Sequence, residues 1–482
     1  MKKASIIFGL SFLFAACRPN VTVTIPASSG NTDFSVYMSF GSSYAGGFSD
    51  NSLEVSGQVN SYPNLLFQQF QLVPGDAGGS KSYFVQPLLN SNNGYPYAKL
   101  VLGSFFNPCT MDSIMIPVNY PSFVMDPTDA IRYTWQNSNY NNGQINNMAV
   151  PGMRVADLPV AGYVLANPYA ARFFLKNAPT NTPLDEIGYR VRNTHPSFVT
   201  VDIGLQDILG FALSGGVGDG TGYASPITGT TNVYQDSAIT PYAVFQTQYD
   251  ALVLQAINTP SPKGGGALFS IPDITAMPYF NVFPSNGLVI TRQTLADSLN
   301  KYWKSYTPKV TINKDFQVGN NQYIVMDHNN NIRQSVPGEL ILMDAPFFDT
   351  SCATMSSFGA HVPIPNKYVL TTEELQEIRS ATAIFNNYIY NESLKYHLAY
   401  VDVNKYLNNV GYSSVGTTGV VFNGITYNSN FISGGFYSLD GVHLTQRGYA
   451  QITNLTIQQV DSFYHATLPL INVNNYNGVL YY

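Results

Sequence analysis

Short apolar runs recur along this chain with helical stretches between them, and that alternation limits the fold more than any other feature of the sequence. The first run, at residues 34–40, sets Phe34, Val36, Met38 and Phe40 at every second position, the period of a buried strand. Met148, Ala149 and Val150 make a second run; residues 198–203, 267–271 and 398–403 make the third, fourth and fifth. Residues 62–70, 242–257, 294–303 and 372–395 read as helices, and a further helical region is expected to open at residues 155–158 and continue over 164–175. The 372–395 stretch starts at Thr371-Thr372 with Glu373, Glu374 and Glu377, so its acids fit a capped, solvated helix start better than paired-carboxylate chemistry. Strand and helix in turn predict an α/β fold, a three-layer, doubly wound parallel sheet of about five strands.

Two segments interrupt the alternation. Residues 74–146 are rich in Gly, Asn, Pro and Tyr around a short apolar run at residues 100–106, which predicts a long loop insertion. Residues 310–343 carry two alternating stretches, Tyr323-Ile324-Val325-Met326 and Glu339-Leu340-Ile341-Leu342, separated by a polar turn at 327–331; these are expected to pair as a hairpin. A chain of 482 residues is long for one core, and these insertions are expected to decorate a single domain over residues 33–482.

The N-terminus has Lys2 and Lys3, an apolar run at residues 6–14, and Ala15-Ala16 before Cys17, the pattern of an export signal over residues 1–16. Leu13-Phe14-Ala15-Ala16-Cys17 resembles a bacterial lipobox. That reading makes Cys17 a lipidated N-terminus, residues 17–32 a tether, and the location the cell envelope at the outer membrane, with the N-terminal lipid as the only membrane link expected. An ordinary secretory signal is the alternative. Cys109 and Cys352 could then pair as a disulfide or stay as two buried thiols. Charged residues make up only 11% of the chain, the net charge is −6 and no basic run occurs, which argues against a nucleic-acid partner. No metal-ligand spacing is present, and the glycines and Lys81 at residues 75–82 miss the phosphate-loop pattern, so no metal or cofactor is expected.

Four places carry candidate chemistry. Gly41-Ser42-Ser43 follows the first strand, Pro151-Gly152 the second and Gly204-Leu205-Gln206-Asp207 the third, while Asp440 and His443 stand three apart at the start of the last helix. Singly, each is ordinary: a strand-Gly-x-Ser turn is usually only a turn, and a lone Asp-x-x-His is usually structural. Their order and spacing together resemble the SGNH, or GDSL-like, hydrolase family. The flanking stretches NSYPNLLFQQF, NNMAVPGMR, SIPDITAMPYF, IRQSVPGELILMDAP and FYSLDGVHLTQRGYAQITN resemble exported lipoprotein members of Bacteroidota type, and the resemblance covers nearly all of the mature chain.

The resemblance implies a flavodoxin-like sheet with Ser43 as nucleophile, His443 as base and Asp440 as its orienting acid. It further implies oxyanion donors at the Ser43 and Gly152 amides and the Gln206 side chain, and hydrolysis of an ester, either a lipid acyl ester or an acetylated glycan, without a cofactor. Two positions depart from the family pattern. Ser42 stands where an aspartate is usual, and Gln206 stands where an asparagine is usual. These departures keep open a catalytically weak or inactive relative that binds glycan or lipid.

Overall fold

The computed structural model describes residues 26–75, 79, 84–107, 112–129, 145–172, 180–217, 222–224, 231–235, 237–258, 264–306, 310–345, 358–411 and 419–479. The expected signal segment, Cys17, and the Cys109 and Cys352 pair lie outside the described residues.

Five strands form the central sheet: β1 (Tyr37–Gly41), β2 (Asn147–Ala149), β3 (Phe198–Asp202), β4 (Gly265–Phe269) and β5 (Ala399–Val401). They lie in the order β2-β1-β3-β4-β5 and every neighbouring pair is parallel. This is the doubly wound, flavodoxin-like order. Because β1 is flanked on both edges and covered on both faces, every residue in it is buried, including the polar members its alternation would turn outward. Those members are satisfied internally: Thr200 Oγ1 donates to Ser39 Oγ (3.0 Å) and shares a 2.8 Å hydrogen bond with Tyr37 Oη.

The main helices are α1 (Tyr62–Phe70), α2 (Pro183–Thr194), α3 (Gln206–Leu213), α4 (Tyr242–Ile257), α5 (Gln293–Ser305), α6 (Thr372–Lys395) and α7 (Gln446–Tyr464). α1 and α7 pack together on one side of the sheet, while α2, α4 and α6 pack in a row on the other, giving three layers. Phe34 stacks on Phe70 at 4.0 Å in the first interface and Phe245 on Phe385 at 4.0 Å in the second. At the start of α6, Thr371 and Glu374 exchange hydrogen bonds as a capping box, so Glu374 is buried whereas Glu373 is exposed.

The helical region expected over 155–175 is broken into a 3-10 turn (Val155–Asp157), a single α-turn (Tyr163–Ala166) and a second 3-10 turn (Ala170–Arg172); residues 173–175 lie outside the described set. Pro159, Gly162 and Pro168 interrupt it, each removing or weakening the continuous helical ladder. α2 was not anticipated, although Thr182 and Asp185 form a reciprocal capping box at its start.

Both insertions contain antiparallel structure. Leu100–Asn107 pairs with Asp112–Asn119 as a long hairpin. In the second insertion Ile324–Met326 pairs with Ile332–Gln334, not with residues 339–342 as expected; Leu340–Ile341 joins Phe283–Pro284 and Val369–Leu370 instead. The turn decides this. Asp327 Oδ1 accepts the N–H groups of Asn329 and Asn331, both at 2.9 Å, and Asn330 adopts a left-handed φ of 61°, so the chain reverses at once and pairs with the residues directly after the turn. Ile290, Leu299, Trp303, Phe316 and Ile324 form a satellite core beside this insertion.

Candidate active site

From β1 the chain runs to β2 on one side and then crosses over to β3 on the other, so the strand order reverses at β1 and the carboxyl ends of these strands flank the crevice where open α/β sheets bind ligands. A side chain on Gly41 would place its Cβ 2.6 Å from Ala45 Cβ and 2.7 Å from the Asp202 carbonyl, so only glycine fits beneath the turn. The Ser42 N–H donates to that carbonyl (3.0 Å), while its buried hydroxyl has no hydrogen-bond partner. Ser43 begins a one-turn helix, Ser43–Gly46, and its Oγ accepts a hydrogen bond from the Gly152 N–H at 3.2 Å. Gly152 itself sits at φ 79°, where an L side chain is strained. Asn167 Nδ2 braces this loop by donating to the Pro151 carbonyl at 3.0 Å.

Asp440 and His443 lie in the turn before α7. Asp440 Oδ2 accepts from His443 Nδ1 (2.9 Å) and from the Asn51 N–H (2.8 Å). Its Oδ1 accepts from the N–H groups of His443 (2.7 Å) and Val442 (2.9 Å) and from Ser438 Oγ (3.0 Å). Burial alone would push this carboxyl up, but the His443 charge and the hydrogen bonds from His443 and Val442 outweigh it and hold the carboxyl well below the usual carboxylate range. The imidazole is walled by Phe48, edge to face at 4.6 Å, and by Tyr44 at 6.1 Å. With Nδ1 committed to Asp440, the buried Nε2 is left without a hydrogen-bond partner.

At the end of β3, Gly204 takes φ 124° and Gln206 is the first residue of α3. Asp207 is fully buried and accepts from the Val155 N–H (2.8 Å), the Ala156 N–H (3.3 Å) and Thr240 Oγ1 (2.6 Å), tying the stretch after Gly152 to the start of α3. Burial pushes its carboxyl up to about 7 against those hydrogen bonds.

Ser43, Gly152, Gln206, Asp440 and His443 all line one cavity of about 550 Å³. Phe48, Tyr169, Leu209 and Leu213 give it apolar walls, the first insertion adds Leu100, the second adds Met343 at its end, and the exposed Asp344 follows directly. Ser43 and His443 share the cavity, yet no hydrogen bond joins Ser43 Oγ to Nε2. Among the described residues no group of three or more His, Cys, Asp or Glu side chains is placed to hold a metal ion, and no helix is long and apolar enough to cross a membrane.

Sequence reasoning missed the turn at residues 49–52. Ser49 and Ser52 exchange backbone hydrogen bonds at 3.0 Å, with Asp50 and Asn51 between them at φ 52° and 59°, a two-residue reversal of mirror-image type. Besides the Asn51 contact, Asp50 Oδ1 accepts the Leu439 N–H (2.9 Å) and the Asp50 N–H donates to Ser438 Oγ (3.0 Å). The Asp-Asn pair between small residues was the available signal. Comparison of the chain with family models, with curated proteins and with solved structures returns no match.

Proposed function

We propose that this protein is a serine ester hydrolase of the SGNH type, exported and held at the cell envelope by a lipid on Cys17. The observation that carries the reading is the convergence, on one cavity, of the Ser43 hydroxyl, the Gly152 N–H and an imidazole whose far nitrogen is bound to a buried, ionised carboxylate.

In this mechanism His443 Nε2 takes the Ser43 proton as Oγ adds to the ester carbonyl, and Asp440 stabilises the imidazolium. The carbonyl oxygen becomes an oxyanion held by the Ser43 and Gly152 amides, with the Gln206 amide as a third donor. His443 then returns the proton to the leaving alcohol, giving an acyl-Ser43 ester, and the same imidazole activates water to release the acid. The apolar walls suit the acyl part of a lipid ester and leave room for an acetyl group.

The missing Ser43–His443 hydrogen bond favours a second reading, a non-catalytic relative that binds lipid or glycan at this cavity. Such contacts tighten in many enzymes only when substrate is present, so the hydrolase reading stands first. Hydrolysis of short and long p-nitrophenyl esters by the wild type and by Ser43→Ala separates the two: the first requires turnover that vanishes in the variant, the second predicts none in either.

A further inference from the structure

Large apolar side chains exposed to solvent are not spread evenly over this molecule. Six of the 24 found among the described residues fall between Tyr97 and Met125, in and beside the first-insertion hairpin. At its base the hairpin is anchored: Val101 and Leu102 are buried, the Leu100 N–H donates to the Asp50 carbonyl (2.8 Å), and Lys99 pairs with Glu54 at 2.7 Å. Toward its far end the register places Phe106 and Met115 on one face, 53% and 48% exposed, and Ile114, 37% exposed, on the other beside half-buried Phe105.

We propose that this hairpin seats in the surface of a lipid bilayer and presents the cavity mouth to it. A protein partner docking on one face would leave the other face's apolar side chains in water, whereas an apolar medium surrounds both. The outer edges of a two-stranded hairpin carry unpaired backbone groups that hydrocarbon does not tolerate, so it seats at the headgroup boundary rather than spanning. Between residues 97 and 125 the only charges are Asp112 and Lys99, and Lys99 is already paired, so the attraction is apolar and anionic lipid is not required. Leu100, at the hairpin base, also lines the cavity that holds Ser43 and His443. The contact with lipid stands on the hairpin alone; its use in delivering substrate rests on the hydrolase reading.

The test uses the full chain carrying Cys17→Ser, so that no N-terminal lipid holds it to a membrane, and measures co-sedimentation with phosphatidylcholine vesicles at low and high salt. Phe106→Ser/Met115→Ser and, separately, Ile114→Ser should each weaken partitioning, the double variant by about tenfold or more, with little salt dependence. Melting temperature and p-nitrophenyl acetate turnover should stay at the parent level, since these side chains are exposed and outside the cavity. Partitioning unchanged by the variants, sensitivity confined to one face, or self-association through the hairpin in place of vesicle binding would overturn the proposal. Phe106-dependent vesicle binding without any ester turnover would leave it intact and count against the hydrolase reading instead.

Discussion

Asp440→Asn tests how the acid acts, and the structure dictates which way the new amide must point. If its NH2 replaced Oδ1 it would face two backbone N–H donors, those of His443 and Val442 at 2.7 and 2.9 Å, neither of which can turn away. If it replaced Oδ2 it would face one such donor, the Asn51 N–H at 2.8 Å, and an imidazole that can change tautomer. The second arrangement wins. It leaves the Asn51 N–H, on a solvent-exposed residue, without its acceptor, a loss of about 1 kcal/mol in stability. It also forces Nδ1 to accept, which places the proton on Nε2, where it cannot take one from Ser43. The variant should therefore fold, melt lower, and lose about 10⁴-fold in kcat at neutral pH with little change in KM, the scale on which a wrong tautomer acts in established Ser-His-Asp triads. Hydrolysis of p-nitrophenyl acetate and thermal unfolding measure the two effects. Turnover within about tenfold of the wild type would refute the assigned role of Asp440.

Two further substitutions probe the surroundings. Burial, against the Leu439 hydrogen bond, pushes the Asp50 carboxyl up to about 7 from an ordinary 3.8, so the folded state holds this proton after the unfolded chain has released it. Its contribution to stability is full below the unfolded value and falls as pH rises toward about 7; Asp50→Asn should flatten the decline in urea-unfolding free energy across that window, and parallel slopes would contradict it. Gln206→Asn installs the side chain usual in the SGNH pattern that the sequence resembles and should raise kcat by about tenfold, part of the about 10²- to 10³-fold that an oxyanion donor supplies; equal or lower turnover would remove Gln206 from the proposed role.

Features set by neighbouring residues were legible from the sequence. α6 runs over Thr372–Lys395 as expected because its Thr-Thr start and early acids are local capping chemistry. Asp440 and His443 were legible for the same reason: a spacing of three lets the carboxylate reach the imidazole within one turn. The parallel sheet followed from apolar runs alternating with helices. The acid's other support was not legible, because Asn51 reaches Asp440 across 389 residues and only the fold brings them together. The strand at 324–326 pairs with residues 332–334 because the Asp327 turn reverses the chain at once, a register that the alternation of residues 339–342 does not report. Whether the Ser43 hydroxyl reaches His443 Nε2 depends on a rotamer and a loop position, which no residue pattern specifies.

The central claim is that Ser43 is a nucleophile activated by His443 and Asp440. Its most direct measurement is fluorophosphonate labelling of the full chain, followed by intact mass and peptide mapping. The account predicts one adduct, on Ser43, absent from Ser43→Ala and formed far more slowly in Asp440→Asn. No adduct, or an adduct on another serine at the same rate in all three proteins, would contradict it.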